Sequence, residues 1–359
     1  MFLQELQLYN FKNFEDIAFQ FDQKINCFVG NNGVGKTNVL DAIYFLAFGK
    51  SYFNNNIRQI IRFDESAFSI KGLFDIKQKN ESILLSYQID KKKQLKRNNK
   101  LYTRLSDHIG LIPLVMISPY DRDLISESGD TRRRFVDKII SQADSAYFSA
   151  LIAYQKNLAQ RNSLLKYFSA NHRFDRDTLN VYNEQLHRFG TIIHQKRQSF
   201  INEFSSLLKQ RYEVLSEGKE LVNISYFSEL EVKPLIDLLQ ENIQKDRILQ
   251  HTSKGIHRDD FLFEINEKPI KKFGSQGQQK SFLIALRLAE FEFLKTQSNK
   301  MPILLFDDIF DKLDEHRVKQ IVNMVNDSAF GQIFISDTHA ERTKELVENI
   351  HQTYKIFEL

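Results

Sequence analysis

Two rhythms of apolar residues alternate along this chain. Between Thr131 and Gln250 the spacing is helical. Leu179, Tyr182, Leu186, Phe189, Ile193 and Phe200 recur at near-heptad intervals, and Phe135, Ile139, Ala143, Tyr147, Leu151, Tyr154 and Leu158 mark one earlier amphipathic helix. Only Gly190, Gly218 and Pro234 interrupt the stretch, which predicts a helical block over residues 131–250. Each stripe needs an apolar partner, so the block is expected to form an antiparallel helical pair or short bundle.

On both sides of the block the rhythm shortens. "KINCFVG", "FSIKGLF", "SILLSYQI", "DFLFEIN", "ILLF" and "QIFIS" have strand length and are rich in β-branched or aromatic residues. "NVLDAIYFLAF" and "SFLIALRLAEFEFLK" read as helices between them, and no repeat of fixed period is present. The pattern predicts one α/β domain built from residues 1–130 and 251–359, with the helical block inserted in the middle.

Composition narrows the class. A chain of 359 residues buries a sizeable core and has room for two domains. One cysteine, Cys27, excludes an intrachain disulfide framework and fits a reducing cytoplasm, where Cys27 reads as a small core residue. The nine histidines show no metal-ligand spacing. The opening "MFLQELQLYNFKNFEDIAF" lacks a secretory pattern, and no run approaches the ~18 apolar residues of a membrane span. A soluble, cytoplasmic protein with no membrane partner is expected. The net charge of +4 is modest, so any nucleic acid would meet a local patch.

"INCFVGNNGVGKTNVLDAIYFL" brings in chemistry. Gly30 is followed by Asn31, Asn32, Gly33 and Val34, then by Gly35-Lys36-Thr37, after an apolar strand and at the start of a helix. Glycines allow positive φ and close backbone approach, so successive N–H groups can form an anion nest at a helix N-terminus. Lys36 supplies a point charge to the β and γ phosphates of ATP, and the Thr37 hydroxyl is placed to ligate Mg2+. Taken alone, the segment also reads as a glycine-rich turn with a solvated lysine. "PILLFDD" supplies the carboxylate such a loop needs: Asp307 as the metal-oriented acid and Asp308 as the catalytic group that orients or deprotonates a water. The alternative for the two acids is a cluster capping the next helix. "FGSQGQQK", from Phe273 to Lys280, reads locally as a polar loop capping a helix.

"GNNGVGKT", "SQGQQK" and "ILLFDDIFDKLD" stand in the order found in the ABC-type ATPase heads of chromosome-maintenance and double-strand-break repair proteins, which the chain resembles. "LQLYNFKNFE", "ISPYDRDLISESGDTRRRFVD" and "GIHRDDF" narrow the resemblance to the RecF family of bacterial recombination mediators, over essentially the full length. The resemblance implies a head of two lobes, with a helical domain in place of a long coiled coil. It implies an ATP-dependent homodimer in which Ser275, Gln276, Gly277 and Gln278 of one subunit meet the γ-phosphate held by the other. It further implies binding to single-stranded, double-stranded and gapped DNA, and work with RecO and RecR in loading recombinase. Roles in replication and the SOS response follow, with ATP acting mainly as a dimerisation switch and hydrolysis weak and DNA-stimulated. Lys12 stands where that family usually has arginine. Asp308 stands where ABC heads usually have glutamate, an aspartate that RecF proteins share. His339 resembles a switch histidine displaced beyond its strand, or a surface histidine.

Two basic clusters remain open. Lys91, Lys92, Lys93, Lys96 and Arg97, with Lys100, sit on an expected hairpin turned at Asn98-Asn99, either tracking DNA phosphates or simply solvated. Arg132, Arg133 and Arg134 either meet DNA or pair with Asp130 and Asp137. His257 in "GIHRDDF" has no assigned role. Competing classes are a transporter ATPase subunit, disfavoured by the long insertion, and a nuclease of the overcoming-lysogenisation type. That class needs an acidic metal domain after the head, whereas this chain runs only about twenty residues past "SDTHAER".

Overall fold

The computed structural model describes residues 1–308, 320, 330–350 and 352–359. They form two compact units, Met1–Asp121 with Leu286–Leu359, and Arg122–Ala285. The first unit opens with β1 (Phe2–Phe11), β2 (Phe14–Gln20), β3 (Ile25–Val29), α1 (Lys36–Phe48), β4 (Ala67–Ile76), β5 (Lys79–Gln88), β6 (Gln94–Arg97), β7 (Lys100–Leu101) and β8 (Leu114–Ile117). The second carries α2 (Asp123–Ser126), α3 (Gly129–Ala143), α4 (Ser145–Ala170), α5 (Arg176–Ser216), β9 (Val222–Phe227), α6 (Leu235–Glu241), α7 (Ile243–Leu249), β10 (Asp260–Ile265), β11 (Lys268–Pro269) and α8 (Ile270–Phe273). The division falls within α9 (Gln276–Ser298). The first unit resumes with β12 (Ile303–Asp307), β13 (Ile333–Asp337), the helix Ala340–Glu348 and β14 (Tyr354–Glu358).

Two sheets make up the first unit. One is antiparallel, in the order β2-β1-β4-β5-β6-β7, and the other is parallel throughout, in the order β14-β3-β13-β12-β8. Helix α1 is buried over nearly its whole length and contacts strands of both sheets, as a helix apolar on every side must. Its residues Val39 to Phe48 join Leu3, Leu6 and Phe74 from one sheet and Phe28, Leu305 and Phe334 from the other in a single core. The Gln332 amide ties the two sheets together: Nε2 donates to the Leu3 and Asp22 carbonyls at 2.8 Å each, and Oε1 accepts from the Leu3 N–H at 2.7 Å.

In the second unit α4 and α5 pair along their lengths, and α5 also packs on β9 of the three-stranded sheet β11-β10-β9. The buried stripe of α5 includes Leu179, Leu186, Ile193 and Phe200 as expected, but runs through Asn183, Gly190 and Arg197 where Tyr182 and Phe189 were read; those two are only half-buried. The single helix expected from Phe135 to Leu158 is two helices. Asp144 is extended (φ −133°), and its carboxylate accepts the Tyr147 N–H at 2.9 Å, capping α4 and ending α3. β9 lies inside the expected helical block, and its partner, β10, is more than thirty residues away. Arg197, fully buried, joins α5 to α3 through Asp137 (2.9 Å) and to the "GIHRDDF" segment through Asp259 (3.0 Å) and the Ile256 carbonyl (2.8 Å).

Candidate functional site

The site grows from β3. All five of its residues are buried, flanked in parallel by β13 and β14, so the chain must leave at the carboxyl edge of the sheet. It does so through Gly30 (φ +147°) and reaches α1 through Gly35 (φ +117°). A Cβ on Gly30 would lie 2.5 Å from the Leu359 carbonyl oxygen, and one on Gly35 would lie 2.6 Å from the Phe14 ring. Neither position admits a side chain. From the turn between β1 and β2, Asn13 Nδ2 donates to the Val34 carbonyl (2.8 Å), and Asn38 Nδ2 donates to Asn13 Oδ1 (2.7 Å), fixing the loop from outside. No side chain caps α1 and its first turn carries no acid, so its dipole faces the loop uncompensated. Lys36 folds over the same loop, its Nζ donating to the Gly30 and Asn31 carbonyls at 2.7 and 2.9 Å.

Three parallel strand ends complete the centre. Asp307 closes β12 in register with Ser336 of β13, and Ser118 follows the last residue of β8. Asp307 Oδ1 accepts from Thr37 Oγ1 at 2.7 Å and Ser336 Oγ at 2.9 Å, and Oδ2 from Ser118 Oγ at 3.5 Å. Burial pushes the Asp307 carboxyl above its ordinary range, partly offset by these hydroxyls, and among the described residues no lysine or arginine pairs with it. A buried carboxylate set against a threonine hydroxyl and lacking a basic partner suits a hard divalent cation. Among the described residues no cluster of three His, Cys, Asp or Glu that could hold a metal ion is present. Asp308 turns the chain at φ +47°, its N–H donating to the Ser336 carbonyl at 3.2 Å. The remainder of "ILLFDDIFDKLD", residues 309–314, lies outside the described residues. Thr37, Asp307 and Asp308 line a cavity of about 550 Å³ together with Lys12, Asn38, Phe53 and Tyr120.

Sequence reasoning missed the support behind these groups. Asp121 accepts from the Ser118 N–H (3.1 Å), the Tyr52 hydroxyl (2.8 Å) and Arg287 Nε (3.1 Å), and Arg287 Nη1 donates to Glu290 at 2.6 Å. A buried arginine on α9 thus holds the acid that holds Ser118 beside Asp307. The signal was an Arg and a Glu three apart inside the apolar run "SFLIALRLAEFEFL". Lys12 lines the cavity, and its ammonium pairs with buried Asp41 at 2.7 Å rather than standing free.

Ser275 to Gln278 belong to the second unit, at the start of α9. Ser275 Oγ accepts the Gln278 N–H (3.2 Å) while Gln278 Oε1 accepts the Ser275 N–H (2.6 Å), a capping box. Of the basic hairpin, Asn98 and Asn99 form the turn with φ of +49° and +65°. Arg97 is clamped by Glu81 at 2.8 and 2.7 Å and Lys93 donates to the Gly49 carbonyl, while Lys91 and Lys92 are exposed. Arg132 pairs with Asp260 (2.8 Å), Arg133 and Arg134 with Asp130, and Asp137 with Arg197 instead. His257 Nδ1 meets the Tyr154 hydroxyl at 2.9 Å and Nε2 the Thr252 carbonyl at 3.1 Å, and burial pushes its pKa down to about 4. His339 is exposed, its N–H donating to Asp337 at 3.1 Å.

A family model described as the RecF/RecN/SMC N terminal domain matches residues 2–358. The DNA replication and repair protein RecF of Flavobacterium johnsoniae is 59% identical over 359 residues, covering 100% of both chains. The chain belongs to the RecF family. Its backbone superposes on the recombination mediator protein RecF-ATPrS in the RecFOR pathway with a TM-score of 0.89 and 27% identity, covering 100% of this chain and 96% of that one. The likeness extends at the level of fold to an Smc head bound to the C-terminal winged-helix domain of ScpA, with a TM-score of 0.56, 16% identity, and coverage of 95% and 90%. The mixed parallel and antiparallel α/β architecture is therefore the ATPase-head fold shared by RecF and Smc. Among the described residues of this RecF-family chain no helix is long and apolar enough to cross a membrane.

Proposed function

We propose that this member of a DNA replication and repair family is an ATP-gated DNA clamp. The observation that carries the reading is the hydrogen bond of 2.7 Å between Thr37 and buried Asp307, at the mouth of a glycine-turned loop bearing Lys36. ATP with Mg2+, when bound, supplies a polyanion and a hard cation. Gly30 to Gly35 and the α1 N-terminus offer backbone donors to the phosphates, Lys36 a point charge, Thr37 and Asp307 the metal oxygens, and Asp308 a carboxylate to orient water. The RecF relative solved as RecF-ATPrS in the RecFOR pathway supports ATP as the nucleotide and RecO and RecR as partners.

Ser275 to Gln278, small or polar at a helix N-terminus, suit contact with a phosphate held by a second copy, so nucleotide stabilises a twofold dimer by bridging it. The head comprises residues 1–130 and 251–359 in two lobes, with 131–250 as the helical insertion. The dimer closes on single-stranded, duplex or gapped DNA, and Lys91, Lys92 and Lys96 are its candidate phosphate contacts. Sedimentation velocity tests the clamp: dimer should rise sharply on adding Mg2+ and ATP, and Lys36→Ala should remain monomeric and lose nucleotide binding. Equal dimer with and without ATP would overturn the reading.

A further inference from the structure

A cavity of about 400 Å³ opens within the second unit, and none of its lining residues has a role assigned above; Leu165, Phe168, His172, Arg173, Arg247 and Ile248 are among its walls. Its floor is apolar: Leu165 and Phe168 cluster with Leu179 and Ile243, with Phe174 packed against them. Among the polar walls Ser169, His172, Arg173, Gln244 and Arg247, Ile248 stands out as an aliphatic side chain that is 81% exposed. Cations stand over this floor. The Arg247 guanidinium lies 4.2 Å from the centre of the Phe174 ring and donates to Gln244 at 3.2 Å, and the loop that carries Arg173 is anchored by its own N–H to the Phe168 carbonyl at 3.1 Å.

Three acids nearby in sequence are engaged elsewhere. Asp175 caps α5 by accepting from the Asp177 and Thr178 N–H groups, Asp246 is buried against Arg161 at 2.7 Å, and Glu241 pairs with Lys233. No acid lines the cavity. It is therefore a basic pocket with a floor of aliphatic and aromatic side chains and one exposed aliphatic side chain, Ile248, in its wall.

We infer that this pocket docks a partner protein through an acidic segment bearing an apolar side chain. The carboxylates meet Arg173 and Arg247, and the side chain fills the space above Leu165 and Phe168. Arginine stacked on an aromatic ring is held ready for a carboxylate at little entropic cost. Ile248, an exposed aliphatic side chain with neither charge nor ring to offer a nucleotide, favours a protein partner over nucleic acid.

The test is fluorescence anisotropy on the full chain, with a labelled peptide of three aspartates on each side of a phenylalanine–leucine pair. Wild-type protein should bind, and less tightly as salt rises. Arg173→Glu with Arg247→Glu should weaken binding by about tenfold or more, as expected when anchoring arginines are reversed. Ile248→Ser, at a side chain too exposed to matter for folding, should weaken it about fivefold through lost apolar burial. Thermal melts of both variants check the fold. Absence of peptide binding at millimolar concentration, equal affinity in the charge-reversed variant, or equal affinity for a peptide with asparagine in place of aspartate would each overturn the inference. So would binding of a thymidine oligonucleotide that these substitutions abolish while the peptide fails to bind.

Discussion

Single residues divide into those whose chemistry shows in the chain and those that need a neighbour to acquire meaning. Lys36 and Thr37 belong to the first kind, because the glycines that shape their loop are adjacent in sequence. Ser118, Ser336 and Arg287 belong to the second, since each matters only through Asp307 or Asp121, more than a hundred residues away for Ser118 and Arg287 and across a strand pair for Ser336. His257 is also of the second kind. Burial shifts its pKa from 6.5 to about 4. Above pH 6.5 it is neutral in both folded and unfolded chains, and its contribution to stability is complete. Between 6.5 and 4 the unfolded chain takes up a proton that the folded chain refuses, so stability falls, by on the order of 2 kcal/mol at pH 5. His257→Asn should therefore lose less stability than wild type between pH 7 and pH 5 in urea melts. Identical losses would show that the imidazole is not buried in its neutral form.

At the scale of elements, α9 shows how one sequence feature serves two levels. "FGSQGQQK" looks like a helix cap, and it is one, with reciprocal Ser275 and Gln278 hydrogen bonds. The proposed contact with a second copy uses the same helix end, because a cap positions an exposed hydroxyl where the dipole favours a phosphate. Ser275→Arg fills that space and leaves every residue of the glycine-turned loop unchanged. The variant should bind ATP with wild-type affinity by calorimetry yet stay monomeric by sedimentation; an ATP-dependent dimer of normal strength would remove Ser275 from the interface. The break between α3 and α4 was legible in principle, since Asp144 with Ser145 is a capping signal. It was masked by an apolar period that continues through the break.

For the whole molecule, the reading of a clamp predicts that DNA affinity depends on nucleotide. Anisotropy on gapped, single-stranded and duplex DNA should show tighter binding with ATP than without, and Lys91→Glu with Lys92→Glu should weaken it on every substrate and reduce its salt dependence. ATP-independent affinity would separate DNA binding from dimerisation. The sequence by itself determined the glycine-turned loop between β3 and α1, the acid pair at the end of β12, the helical character of most of residues 131–250 and the α/β class of the flanks. These rest on local spacing, glycine backbone freedom and apolar period, all properties of short stretches of chain. Only the tertiary structure decided that β9 is a strand, that Lys12 answers to Asp41, that Arg97 and Arg132 are held by acids, and that Arg287 holds Asp121 behind Ser118. Each of those depends on a partner distant in sequence, and a buried charge or an unpaired strand edge is stable only once the fold has brought that partner to it.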